Sequence, residues 1–251
     1  MFFGFDLKEL FMFPFKDDES RKYFLVGSLI ALAGFIIPIL PYLILFGYAV
    51  QIAKQAMQGQ PLRMVPWDDW SGLLKDGLKL FGIRMAFSLP ILIIAIPLMI
   101  AGIAMPFVAG NMDSNSSDAF IALFSFIMLG SICVIIPISI PLVVIIPAAE
   151  MHVIEKGGEF AAGFRFKEWW PILRANLGGF IAAFGIYYLA SFVLIFAVQL
   201  LAATIILACL VFILMPAITL YITLLMYVTA AIAYRGGVEK LNAPVISETT
   251  A

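Results

Sequence analysis

Charge is what this chain has least of. Of its 251 residues only 12% are Asp, Glu, Lys or Arg, and 63% are hydrophobic. A soluble domain carries about 25% charged residues, so a water-soluble globule is excluded. The formal net charge of -1 excludes a strongly basic nucleic-acid binder. Cysteine is limited to Cys133 and Cys209, both inside apolar runs where a thiol acts as a small hydrophobe, which argues against a disulfide framework or a thiolate metal site. There is no P-loop, no Gly-x-Ser-x-Gly elbow and no His-Glu-x-x-His helix, so the common nucleotide, hydrolase and zinc-protease chemistries lack their parts. Met1 to Glu19 contains acidic residues and no small-residue cleavage site after a short apolar run, so no cleaved signal peptide is expected.

What is present is long and apolar. Four stretches have no Asp, Glu, Lys or Arg: Tyr23 to Ala53, Met85 to Met112, Ala119 to Ala149 and Ala175 to Tyr234. At roughly 20 residues per crossing, the last holds two helices with a turn near Gln199 to Thr204. Lipid-exposed backbone must pair internally, so the segments are helical. A barrel would alternate apolar and polar residues, and these runs do not. The expected fold is an all-α, polytopic bundle of about five Pro-kinked membrane helices, over 23–53, 80–108, 119–149, 177–199 and 204–234. An N-terminal segment, 1–22, and a tail, 235–251, flank this single membrane domain, 23–234.

Sidedness follows from the basic residues. Lys54 to Arg84, Lys156 to Arg174 and the tail after Tyr234 carry Lys and Arg, whereas Gly110 to Asp118 carries neither. The positive-inside rule puts the first three in the cytoplasm and the last outside. Lys8, Lys16, Arg21 and Lys22 also ask for the inside, which would make 23–53 a re-entrant hairpin turning at Pro38-Ile39-Leu40-Pro41. An internal repeat argues otherwise. Pro38 and Gly59, Pro137 and Gly158, and Pro216 and Gly237 are each 21 residues apart, as expected for a Pro-kinked helix ending on a left-handed glycine. Since the third copy enters from outside, the repeat favours an outside N-terminus and five crossings. Such repeats specify architecture and not activity.

All four tryptophans, Trp67, Trp70, Trp169 and Trp170, fall in the two basic connections. Indoles favour the headgroup level, so both connections are expected to be elbow helices lying on the inner membrane surface with these residues as anchors. In the first, Trp67, Trp70, Leu73, Leu74, Leu78 and Phe81 recur at helical spacing, and Asp68 or Asp69 suits the N-cap. A metal on the paired carboxylates is the weaker reading, since the loop offers neither His nor Cys.

Gly47-Tyr48, Trp67-Asp68-Asp69-Trp70, Leu73 and Lys75-Asp76-Gly77 with Lys79, then Ala161-Ala162-Gly163-Phe164 with Trp170, Arg174 and Asn176, make the chain resemble a prokaryotic membrane family catalogued as domain of unknown function 4013. The resemblance runs over nearly the whole chain after residue 20. It implies a polytopic helical fold in a prokaryotic plasma membrane and supplies no activity. Where it leads one to expect a more basic first helix end, this chain has Gln51 and Lys54.

Candidate chemistry is thin. His152 stands beside Glu150, with Glu155 one turn on; an interfacial polar role is expected before a metal or proton site. The hydroxyls Ser88, Ser125, Ser131, Ser139 and Ser191 read as packing groups. No crossing carries an ionisable carboxylate or amine, which argues against ion-coupled transport. Gly178 with Ala182, and Gly179 with Ala183, are small-xxx-small pairs that favour internal packing over oligomerisation. The expectation is a non-enzymatic accessory or scaffold subunit, without cofactor or metal, that organises membrane lipid or a membrane-protein partner. A carrier or flippase for an apolar or amphipathic solute is the alternative.

Overall fold

The computed structural model describes residues 4–204 and 208–243, and all its regular elements are helical. They are α1 (Leu7–Met12), α2 (Asp18–Ala33), α3 (Leu40–Met57), α4 (Trp70–Ala109), α5 (Ser114–Glu155), α6 (Phe166–Ala175), α7 (Leu177–Ala202) and α8 (Ala208–Asn242), with 3-10 turns at Phe13–Phe15 and Phe160–Phe164. Four helices are long and apolar enough to cross a membrane: α4, α5, α7 and α8 from Cys209 onward.

The segment 23–53 is the main departure from the sequence reading. It does not form one crossing helix. The chain breaks between Ala33 and Leu40, where Ile39 takes φ 76° beside Pro38 and Pro41. Proline cannot sustain a helix through its own position without losing an amide donor, and the residue before it is driven out of the α region. α2 runs antiparallel to α8: Gly27 packs on Leu220, and the Phe35 ring lies 6.3 Å from Phe212. α3 runs parallel to α8, with Phe46 at 6.2 Å from Tyr227 and Arg235 donating to the Ala56 carbonyl. The result is a helical hairpin. Gly4 lines a cavity with Asn176, Arg235 and Lys240, so the N-terminal segment sits at the same end as the close of α8. The expected opposite placement of N-terminus and tail is therefore corrected.

The chain divides into two compact units. Unit 1, Met1–Ile83 with Pro147–Ala251, is built around α8, which packs against α7, α3, α2, α6 and α1. Unit 2, Arg84–Ile146, is the remainder of α4 and α5, with apolar side chains such as Ile103, Phe107 and Phe126 largely exposed. Such a surface is stable only against lipid or another apolar solvent. Asp113 caps the start of α5 through the Ser116 amide at 3.1 Å. That hydrogen-bonding to Ser116 holds its carboxyl below the usual value.

The repeat is only partly structural. Gly59 (φ 69°) follows α3, and the Gln60 amide reaches back to the Gln55 carbonyl at 2.9 Å. After α5, Gly157 and Gly158 are both left-handed, and the Gly158 amide reaches Val153 at 2.8 Å. These are the six-to-one bonds of a left-handed glycine cap. Gly237 instead lies inside α8, where a Cβ would collide with the Ile172 carbonyl of α6. Pro137 and Pro216 lie within α5 and α8, while Pro38 lies outside any helix. Ser131, Ser139, Thr219 and Thr223 bond carbonyls of their own helices, as short hydroxyl side chains do when no neighbour competes.

Candidate functional site

The first connection is no separate interfacial helix. Asp69 accepts from the Gly72 amide at 2.8 Å and starts α4, while Asp68 is exposed beside it. The buried stripe is Leu73, Leu80 and Ile83, and Leu78 faces outward. α3 and α4 cross at reciprocal glycines: a Cβ at Gly47 would strike the Leu73 carbonyl, and one at Gly77 the Leu43 carbonyl. The second connection does form its own helix, α6, which buries Trp169, Ile172 and Leu173.

The four tryptophans take two different roles. Trp67 and Trp169 are 7% and 0% exposed, whereas Trp70 and Trp170 are 47% and 43% exposed. Trp67 donates to the Tyr23 carbonyl at 2.9 Å, and Trp169 to the Gly163 carbonyl at 3.0 Å. A buried indole must find such a partner. Only Trp70 and Trp170 keep the exposure that a headgroup anchor needs.

Where α5, α6 and α8 meet, a polar junction forms around His152, which is 2% exposed. The Tyr234 hydroxyl donates to Glu155 at 2.9 Å, so its oxygen accepts from His152 Nδ1 at 2.6 Å. His152 Nε2 lies 3.1 Å from Glu168, a bond that needs a proton on the ring nitrogen or on the carboxyl. Glu150, the sequence neighbour, is buried nearby on α5. Spacing along one helix exposed Glu155 as a partner of His152. Glu168 and Tyr234 arrive from other helices, 16 and 82 residues away, and left no sequence signal. Among the described residues no cluster of three or more His, Cys, Asp or Glu has the arrangement to hold a metal ion.

Two cavities follow one seam of unit 1. The larger, about 860 Å³, has Leu7 and Phe11 of α1 on one wall and Gly178, Ala182, Gly185 and Leu194 of α7 on the other. It is almost wholly apolar. The second, about 470 Å³, lies at the charged end between Gly4, Asn176, Arg235, Glu239 and Lys240. The two small-residue pairs of α7 are thus divided: Gly179 and Ala183 are buried, while Gly178 and Ala182 line the larger cavity. Asn176 joins the helices by donating to the Ala233 carbonyl at 2.8 Å and accepting from Lys240 at 2.6 Å.

A family model described as Protein of unknown function (DUF4013) matches residues 30–203, well over half of the chain. The chain belongs to the DUF4013 family. The match to DUF4013 is shorter at both ends than the residue-20-onward resemblance, and it stops before α8. Five of the motif residues that carried the resemblance are packing residues: Gly47 and Gly77 at the helix crossing, Trp67 and Gly163 in indole hydrogen bonds, and Asn176 between α7 and α8. Comparisons with curated proteins and with solved structures gave no match.

Proposed function

We propose that this DUF4013 protein is a non-enzymatic, multi-pass component of a prokaryotic plasma membrane that organises lipid at the inner leaflet as an accessory or scaffold subunit. The single observation carrying this reading is the apolar cavity of about 860 Å³ under α1. Its size falls in the range of ligand-holding cavities, about 300–1,000 Å³, but it lacks the few convergent polar groups that orient a reacting substrate. Small residues on α7 keep the helix surface shallow there, leaving room for an acyl chain beside the backbone. On this reading the basic loops and the N-terminal segment face the cytoplasm, the loop at Asp113 faces out, and α4, α5, α7 and α8 are the crossings.

The test is native mass spectrometry of the protein purified in mild detergent. Wild type should retain lipid, and Gly185→Phe should lose it. A Cβ at Gly185 meets nothing within 4 Å, so the phenyl group fills the cavity without straining the helix. A wild-type protein that retains no lipid contradicts the reading. The alternative, an uncoupled carrier of an amphipathic solute, draws on the same cavity and predicts accelerated lipid movement between leaflets in reconstituted vesicles. A proton gradient should not alter that rate, because the stretches 85–112, 119–149 and 175–234 carry no Asp, Glu, Lys or Arg.

A further inference from the structure

We infer that the seam between the N-terminal segment and α7 is a binding site for one anionic phospholipid, with the phosphate at Lys240 and Asn176 and an acyl chain under α1. This rests on the lipid-organising reading above and names the ligand class. The two cavities have no lining residue in common, but successive residues of the same two segments line them. Gly4 is followed by Leu7 and Phe11 on one side, and Asn176 by Gly178 and Ile181 on the other. A polar cavity of about 470 Å³ therefore lies next along the same two chain segments to an apolar one of about 860 Å³, the division of an amphipathic lipid into headgroup and chain.

The charges at the polar end select the sign of the headgroup. Arg235 is matched: its Nε lies 3.3 Å from Glu239, and its Nη1 donates to the Ala56 carbonyl at 3.0 Å. Lys240 is not. Its ammonium donates at 2.6 Å to the neutral amide oxygen of Asn176, and no carboxylate lies within ion-pair distance of it among the described residues. An ammonium has three donors, so two remain for phosphate oxygens while Asn176 holds the third. The basic loops assign this end to the inner leaflet, where anionic lipids concentrate. Lys240 also stands in the last turn of α8, where a cation suits the helix dipole. That role is blind to lipid type, which is what the experiment separates.

Full-length protein, delipidated in detergent, is titrated with palmitoyl-oleoyl phosphatidylglycerol or the corresponding phosphatidylcholine, and the first bound lipid is counted by native mass spectrometry. Wild type should bind the phosphatidylglycerol about fivefold more tightly, the effect of one basic residue near a headgroup. Lys240→Gln should abolish the preference while still binding both lipids, and Lys240→Arg should keep it. Gly185→Phe, with helicity unchanged by circular dichroism, should lose both lipids. Equal wild-type binding of the two lipids, or a preference that survives Lys240→Gln, overturns the headgroup assignment and leaves the apolar cavity standing. Wild-type affinity of Gly185→Phe for both lipids overturns the lipid-organising reading itself.

Discussion

Tyr48 and Trp67 stack face to face, with ring centroids 3.7 Å apart and planes 8° from parallel. The Tyr48 hydroxyl donates to the Val65 carbonyl at 2.7 Å and accepts from the Val65 amide at 2.9 Å, so one phenol ties α3 to the chain leading into α4. The pair turns a connection that reads as a membrane-surface elbow into part of a protein core. Trp67→Ala should therefore lower stability by about 3–5 kcal/mol, the usual cost of removing a buried large aromatic. Trp70→Ala should stay within about 0.5 kcal/mol. Thermal unfolding in detergent followed by circular dichroism checks both, and equal effects would contradict the division of roles.

The same phenol sets an alkaline limit. Burial raises the Tyr48 pKa well above the ordinary value of 10.0, against a smaller lowering effect of the Val65 hydrogen bond. A folded-state value above the unfolded one means that this stabilisation is complete below about pH 10 and is lost as pH rises further. Melting temperatures measured from pH 8 to 11 should fall above pH 10 in wild type. The fall should be shallower in Tyr48→Phe, although that variant starts lower because the Val65 groups lose their partner.

Gly47 and Gly77 let the α3 and α4 backbones touch. Adding one methyl at either should force the helices apart at a cost of about 1–3 kcal/mol or more. Gly130→Ala is the control, since a Cβ there meets nothing within 4 Å, and replacing glycine inside a helix should be neutral or slightly stabilising. A Gly47→Ala protein that melts with the Gly130→Ala control would show that the crossing is looser than described.

Topology is checked by single-cysteine labelling in a background lacking Cys133 and Cys209. Cysteines at Lys8 and Gly157 should react from one side of the membrane, and one at Ser116 from the other. Lys8 sits in α1, at the end of unit 1 that holds the close of α8. Labelling of Lys8→Cys together with Ser116→Cys would restore the five-crossing arrangement.

At the polar junction, Tyr234→Phe removes the hydroxyl that stands between Glu155 and His152. His152 Nδ1 keeps Glu155 at 3.3 Å, so the expected loss is that of the hydroxyl's own two hydrogen bonds, about 1–3 kcal/mol. Limited proteolysis should then cut first near Lys156 to Arg165, the connection between α5 and α6, the two helices that meet α8 at this junction.

Composition and charge spacing alone determined that the chain is helical and belongs in a bilayer. Long runs without acidic or basic residues leave no other way to satisfy the backbone in lipid. The Schellman ends at Gly59 and Gly157–Gly158 and the Asp69 cap were also legible within a residue or so, because caps depend on a few adjacent backbone groups. Tertiary structure decided what local pattern cannot carry. Pro38 and Pro216 occupy matching places in the repeat, yet one breaks the chain into a hairpin and the other lies inside α8. Trp67 and Trp70 have the same preference for an interface, and the arrival of Tyr48 on one side and α2 on the other buries one of them. His152, Glu168 and Tyr234 meet because three helices do, and the apolar cavity exists because α1, packed on α8, faces α7 across it. Contacts between residues distant in sequence leave no period in the chain, so only the folded structure could bring them together.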